Sequence, residues 1–167
     1  MLKFIKPDYK VNEYVENNYY GKFVLEPLER GFGTTIGNAL RRVMLSSLEG
    51  SAVTDIKIEG VMHEFQKMDG VVEDVTEIIL NLKKLVVKNH SEQDQVLHLK
   101  ADTEGEVHAS DIDQNGEVEI INPDLVIATL SAGGKLDMTM TVSNGRGYVD
   151  GKINAQAVKD VVGAIGI

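Results

Sequence analysis

The spacing of apolar residues changes twice between Lys22 and Gly50. Phe23 and Leu25 alternate with Val24, which predicts a strand over Lys22 to Glu26. Gly31 and Gly33 then allow a turn that other residues resist. From Thr35 to Leu48 the period becomes helical, with Thr34 or Thr35 as the cap and Gly50 as the stop. At 100° per residue, Ile36, Ala39, Leu40, Val43, Met44, Ser47 and Leu48 fill half the circumference. That arc is wider than a single core needs, and it predicts packing on the chain's own sheet and on a second surface. Gly37 lies inside the arc, where it costs about 1 kcal/mol of helix propensity against alanine and lets another backbone approach. The opposite face carries Asn38, Arg42, Leu45 and Glu49. By spacing alone, Leu45 reads first as an ordinary surface leucine and only second as an interface anchor beside Arg42.

Elsewhere the pattern predicts mostly strands. Tyr9 to Val15 and Tyr19 to Glu26 read as a hairpin around the Glu16-Asn17-Asn18 turn. Ser51 to Glu59 alternates cleanly, and Val61 to Phe65 reads as a further short strand. Val71 to Lys83 is an amphipathic helix on Val71, Val75, Ile78, Ile79 and Leu82. Its acidic start, Glu73, Asp74 and Glu77, and its basic end, Lys83 and Lys84, complement the helix dipole. Strands are predicted over Lys84–Lys88, Gln95–Lys100, Gly105–Ala109, Glu117–Ile121, Val126–Leu130 and Lys135–Val142, separated by Asn, Gly and Pro turns. Asn144-Gly145-Arg146-Gly147-Tyr148 reads as a glycine-flanked loop, and Asn154 to Val162 as a weak helix. The sum is an α+β chain with few helices and mostly antiparallel sheets.

Composition narrows this reading. The 167 residues suffice for one ordinary domain or two small ones. The absence of cysteine excludes disulfides and thiolate metal sites. No stretch approaches the ~18 apolar residues of a membrane span, and Met1 to Lys10 lacks the apolar run of a signal peptide. A soluble cytoplasmic protein with no membrane contact is the expectation. Residues 1–49 carry 7 Lys/Arg against 6 Asp/Glu, whereas residues 50–167 carry 10 against 20. This shift places a boundary near Gly50. Residues 1–49, two strands and a helix, bury too little to stand alone. The acidic remainder lacks the clustered basic groups that phosphate contacts need, so no direct nucleic-acid binding is expected.

Candidate chemistry is sparse. Gly31-x-Gly33-x-x-x-Gly37 raises an alternative, a nucleotide-binding enzyme, but its last interval is one residue longer than the dinucleotide fingerprint. His63, His90, His98 and His108 show no helical i, i+4 pair, so neither a metal nor a cofactor is predicted. Glu73, Asp74 and Glu77 have an acid–base or magnesium reading, which their position at a helix start explains more simply. Ser46-Ser47 lacks a nucleophile elbow, and no catalytic residue is assigned. Arg146 in its glycine loop reads equally as a recognition residue or as a partner for the acidic surface.

Three runs carry a resemblance. Leu25-Glu26-Pro27-Leu28-Glu29-Arg30-Gly31-Phe32-Gly33-Thr34-Thr35-Ile36-Gly37-Asn38-Ala39-Leu40-Arg41-Arg42 closely resembles the N-terminal domain of the bacterial RNA polymerase alpha subunit. So do Gly60 to Phe65 with Gly70 to Lys83, and then Asn144 to Val149, in matching order. The resemblance implies a non-catalytic subunit of a nucleotidyltransferase whose catalytic site lies in the large subunits. It implies a homodimer that recruits beta and then beta-prime for DNA-templated transcription. It also implies two lobes, a dimerisation lobe interrupted by a β-rich insert. Residues 1–49 would begin the first lobe and residues 50–167 would form the insert. In that family the domain runs some tens of residues further, through strands and a second dimer helix, and a DNA-binding domain follows. Ile36, Gly37, Ala39, Leu40, Val43 and Met44 match the dimer interface. Arg42 and Leu45 match positions of beta-subunit contact, which reverses the reading of Leu45 from spacing. Lys83 matches a position of contact with a large subunit.

Overall fold

The computed structural model describes residues 6–15, 20–113 and 115–167. They fall into two compact units, Met1–Ser46 and Ser47–Ile167. The first unit is a ribbon and a helix. Strand β1 (Asp8–Val15) runs antiparallel to β2 (Tyr20–Glu26), from Asp8 opposite Glu26 to Val15 opposite Tyr20. The register slips between Val11 and Glu13. The predicted Glu16-Asn17-Asn18 turn lies outside the described residues. Helix α1 spans Phe32–Ser46.

Two expectations about α1 are corrected. The helix begins at Phe32, directly after Gly31 at φ +92°, so Thr34 and Thr35 lie inside its first turns and do not cap it. It also ends at Ser46, before Gly50. Leu48 is left outside the helix, and Glu49 and Gly50 open the next strand, so Glu49 does not share a helical face with Arg42 and Leu45.

The second unit holds the core. Strand β3 is Glu49–Ile58; helix α2 is Val75–Leu82; β4 is Val87–Asn89; β5 is Gln95–Ala101; β6 is Gly105–His108. A single 3-10 turn, Ala109–Asp111, leads into β7 (Ile112–Asp113). Then follow β8 (Val118–Ile120), β9 (Val126–Leu130), β10 (Leu136–Arg146), helix α3 (Gly151–Ala157) and β11 (Ala164–Gly166). The main sheet runs β7-β5-β10-β3-β4-β8, with β11 also on β3, while β6 and β9 form a separate ribbon. Every pairing is antiparallel.

The alternation in β10 explains its central place. Leu136, Met138, Met140 and Val142 are buried on one face, and the register puts Met140 opposite both Ile56 of β3 and Leu97 of β5. Val75, Ile78, Ile79 and Leu82 bring α2 onto the same core. Asp74 caps α2, its Oδ1 accepting from the Glu77 N–H at 2.8 Å while the Glu77 carboxylate accepts from the Asp74 N–H at 3.1 Å.

Where prediction and structure differ, a backbone group is already committed elsewhere. Val71 to Asp74 is not helical: Val72 donates to the Thr129 carbonyl at 3.0 Å, and Val71 bridges Leu130. Val61 to Phe65 is not a strand, because the Gln66 side chain donates to the Gly60 carbonyl and accepts from Met62 N–H, folding the segment into a loop. Lys84 to Val86 precedes β4, since Asn122 Oδ1 takes the Val86 N–H at 2.8 Å. Asn144 to Arg146, expected in a loop, continue β10 opposite Ser51, Gly50 and Glu49. The tail helix starts earlier, at Gly151, because Asp150 caps it through the Lys152 N–H at 2.9 Å.

Candidate protein-interaction surface

Helix α1 exists because its residues repeat at helical spacing, yet it has no buried face. None of its residues is buried, and only Ile36 is even half-buried. Leu40 is 54% exposed, Val43 53%, Met44 60% and Leu45 58%, fractions that belong to an unsatisfied surface and not to a core. Gly37 and Ala39 lie on the same exposed arc. A Cβ at Gly37 would meet nothing within 4 Å among the described residues, so no contact there requires glycine. Arg42 and Leu45, three residues apart, share the other face, and both are exposed. The Ser46 hydroxyl donates back to the Arg42 carbonyl at 2.7 Å, bonding the last turn to the backbone of Arg42.

The ribbon of the same unit is equally uncovered. Tyr9, Val11, Tyr14, Tyr20 and Phe23 are all exposed. An isolated two-stranded hairpin is marginal in water, so this unit has apolar surface and little core of its own.

Lys83, in the second unit, is exposed at the C-cap of α2, where its N–H donates to the Ile79 carbonyl at 3.0 Å. It stands between two clefts of about 850 and 310 Å³ and lines both. Arg146 and Tyr148 line the larger. Phe65, 79% exposed, and Leu80, 54% exposed, line the smaller, so the flank of α2 is apolar beside a cation.

The remaining candidates resolve into structural roles. Arg146 pairs with Glu49, its Nε donating to Oε1 at 3.1 Å, which holds the Glu49 carboxyl below the usual carboxylate range, through that hydrogen bond first and the guanidinium charge second. Glu73 accepts from the Thr129 N–H at 2.6 Å and from its hydroxyl at 2.9 Å, tying the approach to α2 onto β9. Neither bond was legible in the sequence, because the partners lie 97 and 56 positions apart. His90, just after β4, faces Glu119 of β8 at 3.3 Å, and His108 faces Glu106 of its own strand, β6, at 3.5 Å. Among the described residues no group of His, Asp or Glu stands together as a metal site. Gly33 and Gly37 lie within α1, which leaves Gly31 alone in the turn before the helix and removes the loop that a nucleotide phosphate would need. No helix among the described residues is long and apolar enough to cross a membrane.

Comparison with known proteins shows the family. A family model described as the RNA polymerase Rpb3/RpoA insert domain matches residues 56–167. The DNA-directed RNA polymerase subunit alpha of Desulforamulus reducens is 54% identical over 167 residues, all of this chain and 53% of that protein. That of Carboxydothermus hydrogenoformans is 55% identical over 165 residues, 99% of this chain and 52% of the relative. That of Symbiobacterium thermophilum is 58% identical over 149 residues, 89% of this chain and 47% of the relative. The chain spans about half the length of the curated relatives it matches. The chain belongs to the bacterial RNA polymerase alpha-subunit family, and its residues 56–167 match the insert-domain model of that family.

Proposed function

We propose that this chain belongs to a non-catalytic assembly subunit of bacterial RNA polymerase, a homodimeric platform that recruits the beta and beta-prime subunits in the cytoplasm. The catalytic site for DNA-templated nucleotidyl transfer lies in those large subunits. Residues 1–49 belong to the dimerisation and assembly lobe, and residues 50–167 form the inserted lobe.

The observation that carries this reading is α1, an amphipathic helix with no buried residue. Covering its large apolar side chains, at ~1.5–3 kcal/mol each, is worth roughly 10 kcal/mol before entropy. Ile36, Gly37, Ala39, Leu40, Val43 and Met44 meet a second copy of the chain. Gly37 fits this role, since its missing side chain is of no use inside the chain and opens room for an approaching helix. Arg42 and Leu45, on the other face, contact beta: an arginine beside an exposed leucine is the composition of an interface anchor. Lys83, exposed beside apolar Phe65 and Leu80, contacts a large subunit. The acidic second unit, net −10 over residues 50–167, does not bind nucleic acid directly.

Arg42→Ala in the full-length subunit tests the assignment. Both Arg42 and Leu45 are exposed, so stability should stay within about 0.5 kcal/mol of the parent. Circular dichroism should be unchanged, while capture of purified beta subunit falls at least about tenfold, the loss expected of an anchor worth more than 1.4 kcal/mol. Undiminished capture removes Arg42 from the interface.

A further inference from the structure

The sequence holds two Asn-Gly dipeptides, Asn115-Gly116 and Asn144-Gly145, and the fold treats them differently. We propose that Asn115 is a site of spontaneous deamidation to aspartate and isoaspartate, and that the β3–β10 ladder protects Asn144 from the same reaction.

Both asparagines are exposed, so solvent access does not separate them. Constraint does. Gly116 sits at φ +81° in the turn before β8, and a Cβ there would meet nothing within 4 Å, so the peptide nitrogen after Asn115 is approachable. The Asn115 side chain is folded over its own turn: Oδ1 accepts from the Glu117 N–H at 3.1 Å and the Val118 N–H at 3.2 Å, and Nδ2 donates to Gln95 Oε1 at 2.9 Å. Two N–H donors on Oδ1 stabilise the negative charge that gathers there when a nucleophile adds to Cγ.

The chemistry needs only water. The Gly116 amide nitrogen loses its proton to solvent base and bonds to Asn115 Cγ. The Cγ–Nδ2 bond breaks, and ammonia leaves with a proton from water. Water then opens the succinimide at either carbonyl, giving aspartate or, with the main chain rerouted through Cγ, isoaspartate. Nothing is oxidised or reduced.

Asn144 is held against this reaction. Its backbone lies opposite Ser51, and Gly145 lies opposite Gly50, in the β10–β3 register. Its Oδ1 accepts from the Ser51 hydroxyl at 2.7 Å, and its Nδ2 donates to the Ser91 carbonyl at 2.8 Å and the Asn89 carbonyl at 3.4 Å. Bringing Cγ over the Gly145 nitrogen requires the ladder and these side-chain bonds to open together, and the reactive population falls accordingly.

The test is peptide mapping by mass spectrometry on the full-length subunit, incubated at mildly alkaline pH with and without urea. In the folded protein the peptide containing Asn115 should gain the mass of an amide-to-acid conversion and split into two chromatographic isomers. Asn144 should convert at least about tenfold more slowly, since the β3–β10 ladder must open there along with the side-chain bonds. Asn115→Gln should abolish the gain. In urea the two sites should converge. An unmodified Asn115, an Asn144 that keeps pace in the folded state, or a rate difference that survives in urea would each overturn the proposal.

Discussion

Glu49 and Arg146 are the last register pair of the β3–β10 ladder, and their side chains close its end as an ion pair. Both side chains are more than half exposed, at 71% and 62%, so the pair marks a strand end and adds little to stability. Its signature is a titration. Glu49 is held below the usual carboxylate range by Arg146, so what the pair contributes is present at neutral pH and is lost as pH falls through the lowered value. In a carbon-detected NMR titration, Glu49 should have a lower midpoint than in the Arg146→Gln variant. Identical midpoints in the two proteins would show that the pair does not persist in solution.

Gly70 and Gly134 put two main chains in contact. A Cβ on Gly134 would fall on the Gly70 carbonyl oxygen, and Gly70 itself has φ +79°. The same carbonyl accepts from the Ser131 N–H at 2.9 Å, so it is not free to move away. Gly134→Ala should therefore cost about 1–3 kcal/mol by overpacking. Thermal unfolding monitored by circular dichroism checks this, and an unchanged midpoint would mean that the loop has slack.

Asp74 and Glu77 close the N-terminus of α2 on each other's backbone. Asp74→Ala should destabilise by about 1 kcal/mol, and Asp74→Asn should recover most of that, because the asparagine oxygen still accepts from the Glu77 N–H. Urea denaturation of the three proteins measures both changes. Equal losses in alanine and asparagine would point to the charge at the helix start, and not the cap, as the source.

What the sequence made legible follows from where each element gets its order. The core of α2 was readable in Val75, Ile78, Ile79 and Leu82, and the face of β10 in its strict alternation, because burial enforces those periods. The Val61–Phe65 segment reads as a short strand without being one, since the Gln66 side chain binds the Gly60 carbonyl and the Met62 N–H. Strand β11 went unread: Ala164–Gly166 is too short to show a period. Its place also depends on Gly166 lying against the Ala155 backbone, a fit between segments that no local pattern announces. The width of the apolar arc on α1 was visible in the sequence, but the ends of the helix were set by Gly31 and by β3 starting at Glu49. The periodicity located the candidate surface. The roles proposed for Arg42, Leu45 and Lys83 come from resemblance, because one or two residues on a polar face carry no period of their own.

The central claim is that the apolar arc of α1 is a self-association surface, and solution mass reads it directly. Light scattering on the full-length subunit should give the mass of a dimer. Leu40→Glu, which places a charge at an exposed position in the middle of the arc, should give the mass of a monomer with unchanged circular dichroism. A dimer that persists in Leu40→Glu at the same concentration would contradict the account.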